Sequence, residues 1–156
     1  NLPTINGVMQ HNGSEYRAEN VVVDIGDEQS SISIDIAKAY PHDAGVDSYR
    51  RTVMLDRNTH TVHISEEYQL SKTESLNYSF MTACEPTLCD EGIQLTYNDD
   101  TIIMYLDHSR FDIKIEKIEI SDKKLYTSWG DHIYRLYLTI KELKSQGNES
   151  FIFAGK

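Results

Sequence analysis

Ser48-Tyr49-Arg50-Arg51-Thr52-Val53-Met54-Leu55-Asp56-Arg57, followed after a short gap by Thr61-Val62-His63-Ile64, carries the pattern on which the fold turns. Tyr49, Val53 and Leu55 share one parity with Arg51 between them, and Val62 and Ile64 keep the same two-residue period. Successive side chains of an extended chain point to opposite faces of a sheet, so this alternation predicts half-buried strands. Working outward toward the N-terminus, Ile32, Ile34 and Ile36 fill one face of a run whose other face carries Ser31, Ser33 and Asp35. Toward the C-terminus, Ile102, Met104 and Leu106 repeat it, as do Tyr134, Leu136, Leu138 and Ile140 against Arg135 and Thr139. Phe151-Ile152-Phe153 is apolar throughout and reads as a fully buried strand.

Turn chemistry separates these runs. Asn6-Gly7 between two short apolar stretches predicts a tight hairpin, because both central residues of such a turn need positive φ. Asn12-Gly13, Gly26-Asp27, Asn98-Asp99-Asp100 and Gly147-Asn148 are further turn candidates. Between Phe111 and Ile120 the apolar parity switches: Phe111, Ile113 and Ile115 are odd-numbered, Ile118 and Ile120 even-numbered. One extra residue reverses which face the following residues occupy, so a bulge is predicted near Glu116-Lys117. Helix signals are weak. Asp35 to Tyr40 predicts one turn before Pro41, and Leu138 to Lys144, with β-branched Thr139 and Ile140 at its start, reads mainly as the end of a strand. Many short strands separated by turn residues predict an all-β chain, a large antiparallel two-sheet β-sandwich with little helix, in which residues 1–156 form a single domain.

A chain of 156 residues can bury a substantial core. Its net charge of -10 argues against nucleic acid as a partner, since phosphate binding needs an excess of Lys and Arg. The same charge repels an acidic polysaccharide at long range, within the ~10 Å over which salt leaves such forces unscreened. No apolar run approaches the ~20 residues of a membrane-spanning helix. Cys84 and Cys89 enclose Glu85-Pro86-Thr87-Leu88. Two outcomes stay open for them: a small-loop disulfide, or two free thiols beside a turn at Pro86.

Residues with chemical potential are weighed one by one. His60 and His63 sit three apart on a strand, which places them on opposite faces and not on one metal ion. Asp107-His108-Ser109 contains the residue types of a hydrolase triad, but neighbours in sequence do not converge as a relay, so a polar turn is expected. Asp131-His132 reads as a turn leading into the strand at Ile133. Trp129 is expected to anchor the core and not to serve as a sugar-stacking platform. Arg51 shares the apolar parity, so a buried ion pair is expected of it; a contact to an anionic sugar or to another domain is the alternative. Asn12-Gly13-Ser14, Asn77-Tyr78-Ser79 and Asn148-Glu149-Ser150 match the glycosylation sequon, a triplet common by chance. No catalytic residue and no metal-ligand set is assigned within the chain.

Several segments together resemble one family. They are Asn1-Leu2-Pro3-Thr4-Ile5-Asn6-Gly7-Val8-Met9-Gln10, Ala39-Tyr40-Pro41 with the Ser48–Arg57 run, Ile115-Glu116-Lys117-Ile118, and Trp129-Gly130-Asp131-His132-Ile133-Tyr134-Arg135. Their order resembles that in the β-rich C-terminal part of heparinase II/III-like polysaccharide lyases. The resemblance implies a fragment of a two-part enzyme, in which a helical toroid precedes a β-sandwich and acidic, uronate-containing polysaccharide is cleaved by β-elimination. It implies a bacterial protein of the periplasm or cell exterior, such as one acting on glycosaminoglycan. Catalytic residues would lie mainly on the toroid, and zinc, where the parent holds it, would have its ligands upstream of Asn1, with none in this chain. Asn1 matches an Asn of the family, Gln10 matches a recurrent Gln after the hairpin, and Asn1, Gln10 and His11 are the substrate-binding candidates. The chain alone is expected to be inactive, with the absent toroid as its partner and an exposed apolar patch where the two would meet. A free-standing, lectin-like carbohydrate-binding module is the alternative.

Overall fold

The computed structural model describes residues 1–155. Among them the chain runs β1 (Thr4–Ile5), β2 (Glu19–Ile25), β3 (Gln29–Asp35), β4 (Val46–Asp56), β5 (Thr61–Leu70), β6 (Leu76–Thr82), β7 (Glu85–Cys89), β8 (Gly92–Tyr97), β9 (Asp100–Tyr105), β10 (Phe111–Glu119), α1 (Lys123–Trp129), β11 (His132–Ile140) and β12 (Gln146–Gly155). All pairings are antiparallel. A four-stranded sheet of order β1-β6-β11-β10 packs on an eight-stranded sheet of order β2-β3-β4-β5-β12-β9-β8-β7. This is the expected all-β sandwich. No helix among the described residues is long and apolar enough to cross a membrane.

The core lies where the two inner faces meet. Tyr78, Phe80, Leu136, Leu138 and Phe111 of the small sheet face Tyr49, Ile93, Met104 and Phe151 of the large one. Phe151, fully buried, stands edge-on to Tyr78 at 5.1 Å and to Phe80 at 5.0 Å, the arrangement that ring quadrupoles favour. β12 is a central strand, between β5 and β9. Its Ile152 points to the outer surface of the sandwich and is half-buried, and Phe153, which packs against the core beside Phe80, is half-buried too, so the fully buried reading holds for Phe151 alone.

Eight strands cannot be covered by four. Val23, Ile32, Val53, Ile64 and Phe151 are successive cross-strand partners on one inner face. Exposure along this row is 56% at Val23, 42% at Ile32 and 0% at Phe151. Val21, Ile25 and Leu55 are exposed as well. The β2–β3 end of the large sheet is thus an uncovered apolar wing.

Two expectations change, one helix is added, and the open question of the cysteines is settled. Pairing from Phe111 with Ile140 to Glu119 with His132 is unbroken, so β10 has no bulge at Glu116-Lys117. The parity switch arises because Ile118 pairs with Ile133 on the outer face instead. Trp129 is more than half exposed and is no core anchor; it ends α1, a helix that sequence reading missed, alongside exposed Leu125 and Tyr126. The signal for α1 was Asp122, whose carboxylate accepts from the Lys124 and Leu125 N–H groups at 2.9 and 3.0 Å as an N-cap. Cys84 and Cys89 are free thiols. β7 runs extended between them, which separates their Cα atoms by about 16 Å, far beyond the ~7 Å a disulfide can span.

Candidate functional site

The N-terminal segment is a strap fastened at every step. β1 adds to the edge of β6 through Thr4 with Asn77 and Ile5 with Leu76. Asn6 and Gly7 both adopt positive φ, 52° and 78°, giving the hairpin that Asn-Gly predicts. The buried Asn6 side chain does more than turn the chain. It donates to the carbonyls of Ala44 and Lys72, each at 2.7 Å, and accepts from the N–H groups of Glu74 and Ser75 at 2.8 and 3.1 Å. Three segments are joined through one amide. The Tyr40 hydroxyl donates to the Pro3 carbonyl at 2.6 Å, and Asn1 Oδ1 accepts from the Met81 N–H at 2.7 Å.

Arg51 completes the strap from below. On the inner face of β4, its Nε and Nη2 reach Glu66 Oε1 at 2.7 and 2.5 Å, and its Nη1 donates to the Asn1 carbonyl at 2.6 Å. The expected buried ion pair is present, with Glu66 fully buried. Burial pushes the Glu66 carboxyl above its ordinary value, against the pull of Arg51. Burial works the other way on Arg51, but the Glu66 charge outweighs it and the guanidinium is held firmly protonated. Glu66 Oε2 and the hydroxyls of Tyr49 and Tyr78 are buried beside the pair without a hydrogen-bond partner of ordinary geometry. Beyond Arg51 on the same face of β4 come Val53 and Leu55, where the uncovered wing begins.

On the outer face of the small sheet, Asn1, Met9, Met81, Lys114, Arg135 and Tyr137 are among the walls of a groove of about 610 Å3. Glu116 lines it as well. Glu116 Oε1 meets Lys114 Nζ at 2.5 Å, and its Oε2 accepts from Arg135 Nε at 2.8 Å and from Arg135 Nη2. Lys114 and then Arg135 hold the Glu116 carboxyl below its ordinary range. The Arg135 guanidinium lies 6.0 Å from the Tyr137 ring centre. This groove carries two cations against one carboxylate. Two grooves elsewhere have the opposite balance: Asp35 and Glu67 against Arg50 in one, and Glu67, Asp107 and Glu149 against Arg110 in the other. A smaller groove of about 260 Å3 at Ser109, Arg110, Lys141 and Glu142 has the same balance as the one beside Asn1, so in a protein of net charge -10 these two are suited to an anion, and the one beside Asn1 is the larger.

The substrate-binding candidates separate. Asn1 lines the groove, whereas exposed Gln10 and His11 do not, although Met9 beside them does. The His11 N–H donates to the Ala39 carbonyl, and its ring packs against Tyr16 at 4.8 Å. Lys114, Glu116, Arg135 and Tyr137 were missed as site residues. Their strand parity marked them as outward-facing, but which outward positions line a groove depends on pairing across β10 and β11. Asp107 caps a short turn by accepting from the Ser109 N–H, and His108 Nε2 lies 2.8 Å from the Cys89 carbonyl, so the three residues form the expected polar turn. Asp131 Oδ1 and His132 Nδ1 are 2.5 Å apart at the entry to β11. His60 occupies the β4–β5 turn at φ 55°, and His63 Nε2 contacts Thr61 Oγ1. Among the described residues no three His, Cys, Asp or Glu side chains converge as metal ligands. The groove's donors, two cations with a single carboxylate, do not fit zinc.

No protein-family model matches the chain, and no curated protein sequence does. Solved structures do. Heparan sulfate lyase HepC from Pedobacter heparinus superposes with a TM-score of 0.65 at 14% identity, over 89% of this chain and 22% of the lyase. The fold is heparinase-like. A heparinase III superposes with a TM-score of 0.54 at 15% identity, over 85% of this chain and 20% of that one. The chain spans about a fifth of the length of these heparinase structures. At such identity the likeness is one of fold, and it agrees with the architecture that the ordered sequence segments implied.

Proposed function

We propose that this chain is the C-terminal β-sandwich part of a heparinase II/III-like polysaccharide lyase, supporting a helical toroid domain and inactive without it. The observation that carries this reading is the superposition on HepC, which uses 89% of this chain but only 22% of the lyase. The parent acts on an acidic, uronate-containing polysaccharide by β-elimination. That reaction needs a base for the proton next to the carboxylate, an acid for the leaving oxygen, and donors that neutralise the sugar carboxylate. In this chain the contribution is the groove at Asn1, which forms part of the cleft wall and offers Lys114 and Arg135 to an anion. The uncovered wing of β2 and β3 lies against the toroid. Both surfaces flank the strap at Asn1, so a domain joined there meets them together. Zinc, where the parent carries it, is held by residues preceding Asn1.

The test compares this chain alone with a polypeptide that joins it to its upstream helical segment, assayed on heparan sulfate for unsaturated uronate ends by ultraviolet absorbance. Activity is expected in the joined form only. Unsaturated ends produced by the chain alone would overturn the supporting role. One observation favours a second reading, a lectin-like module: Leu125, Tyr126 and Trp129 are each more than half exposed on α1. Glycan-array binding by the chain alone that disappears in Trp129→Ala would support that module.

A further inference from the structure

We propose that Glu116 is a built-in competitor for the acidic group of a bound sugar and sets how tightly the outer-face groove holds an anionic glycan. This rests on the reading of the groove as part of a polysaccharide cleft. A carboxylate that accepts from Nε and Nη2 of one guanidinium while meeting a lysine ammonium occupies the place a uronate carboxylate would take. Glu116 and Arg135 are direct cross-strand partners, and Lys114 is the next residue of β10 on that face. The strand register therefore delivers carboxylate and cations together, with no loop movement needed.

Exchange is feasible because all three side chains reach solvent: exposure is 25% for Glu116, 41% for Arg135 and 69% for Lys114. An incoming anion can take over the cations while Glu116 turns outward, and the core stays closed. Tyr137, beside Arg135, supplies a ring face against which a pyranose can lie. Lys114 and Arg135 hold the Glu116 carboxyl below the ordinary carboxylate range. Mild acidification therefore does not vacate the site. Removing the carboxylate does.

The test measures, by calorimetry at low ionic strength, binding of a glucuronate-containing tetrasaccharide and its sulfated counterpart to the chain and to Glu116→Gln. The variant is expected to bind about tenfold tighter, a gain lost in Glu116→Gln/Arg135→Gln. Asp24→Asn, which removes one negative charge on the far edge strand, is expected to change affinity less than about twofold. Equal gains in Glu116→Gln and Asp24→Asn would show a bulk-charge effect and overturn the proposal. Unchanged affinity in Glu116→Gln, with weaker binding in Arg135→Gln, would also overturn it while leaving the groove as the binding site. Should neither Arg135→Gln nor Lys114→Gln alter binding, the groove reading itself falls, and the proposal with it. Thermal melting of each variant separates these outcomes from misfolding.

Discussion

Val23 and Phe151 stand at opposite ends of one cross-strand row, on the same face of the same sheet, yet the first is 56% exposed and the second fully buried. The exposed strand, ENVVVDI, is no less apolar than the buried one, QGNESFIFAG, so local propensity does not account for the difference. The difference lies in what is opposite. Tyr78, Phe80 and Phe111 of the small sheet close over Phe151, whereas the small sheet ends at β1 and leaves Val21, Val23 and Ile25 of β2 and Ile32 of β3 exposed. Arg51 marks the border, with its charge spent on Glu66 below and the strap above. Alternation specifies that a face is made to be covered. It does not say by which part of the molecule.

The largest contrast should come from truncating the two ends of that row. Phe151→Ala is expected to cost about 3–5 kcal/mol, since the cavity it leaves is walled by aromatic rings that cannot collapse into it. Val23→Ala, on the wing, is expected to cost under about 1 kcal/mol. Urea unfolding followed by fluorescence measures both; equal losses would mean that the wing is as well packed as the core. At the border, Arg51→Ala leaves a buried carboxylate unpaired and releases Asn1, for an expected loss of about 3 kcal/mol. Arg51→Met with Glu66→Leu should restore most of this. Failure of that double variant would show that the hold on Asn1, and not the pair itself, carries the stability.

A smaller effect separates the same border by pH. Burial raises the Glu66 carboxyl in the folded chain above its ordinary value of 4.5. The folded state therefore keeps its proton longer than the unfolded state. The stability this contributes is full below about 4.5 and is lost as pH rises through the folded value. Glu66→Gln should remove that decline, seen as a flatter dependence of urea midpoint on pH in this window. An unchanged profile would mean that Arg51 cancels the burial effect.

The sequence was legible wherever chemistry is local. The hairpin at Asn6-Gly7, the strands around Val53 and Leu136, the polar turn at Asp107 and the turn before Pro41 all follow from a few neighbouring residues. So does the Arg51 ion pair, because strand parity alone forces a guanidinium toward an apolar face. What failed depends on pairing over distance. Ile118 looked like evidence for a bulge because its partner Ile133 lies across the sheet on the outer surface. Trp129 looked like a core anchor because aromatic bulk usually is, and the helix that holds it out in solvent rests on the single cap at Asp122. Asn1, a candidate from the family resemblance, lines the groove, but the groove's Lys114, Glu116, Arg135 and Tyr137 meet only through the register of β10 with β11. Asn6 was read as a turn, and its bonds to Ala44, Lys72, Glu74 and Ser75 could not be anticipated from its neighbours.

The smallest expected change in stability is also the one that says most about the wing. Val23→Lys with Ile25→Lys replaces two exposed apolar side chains on an edge strand, where lysine is readily solvated and discourages strand pairing. Stability should move by no more than about 0.5 kcal/mol per site. Yet an exposed apolar surface that a second domain covers should lose that partner when charged. In the polypeptide joined to its helical segment, the two lysines should therefore loosen the domains, seen as faster proteolysis between them and lower lyase activity at unchanged sandwich stability. If the joined form is as compact and active with lysines as without, the wing is not the docking surface that the proposed function requires.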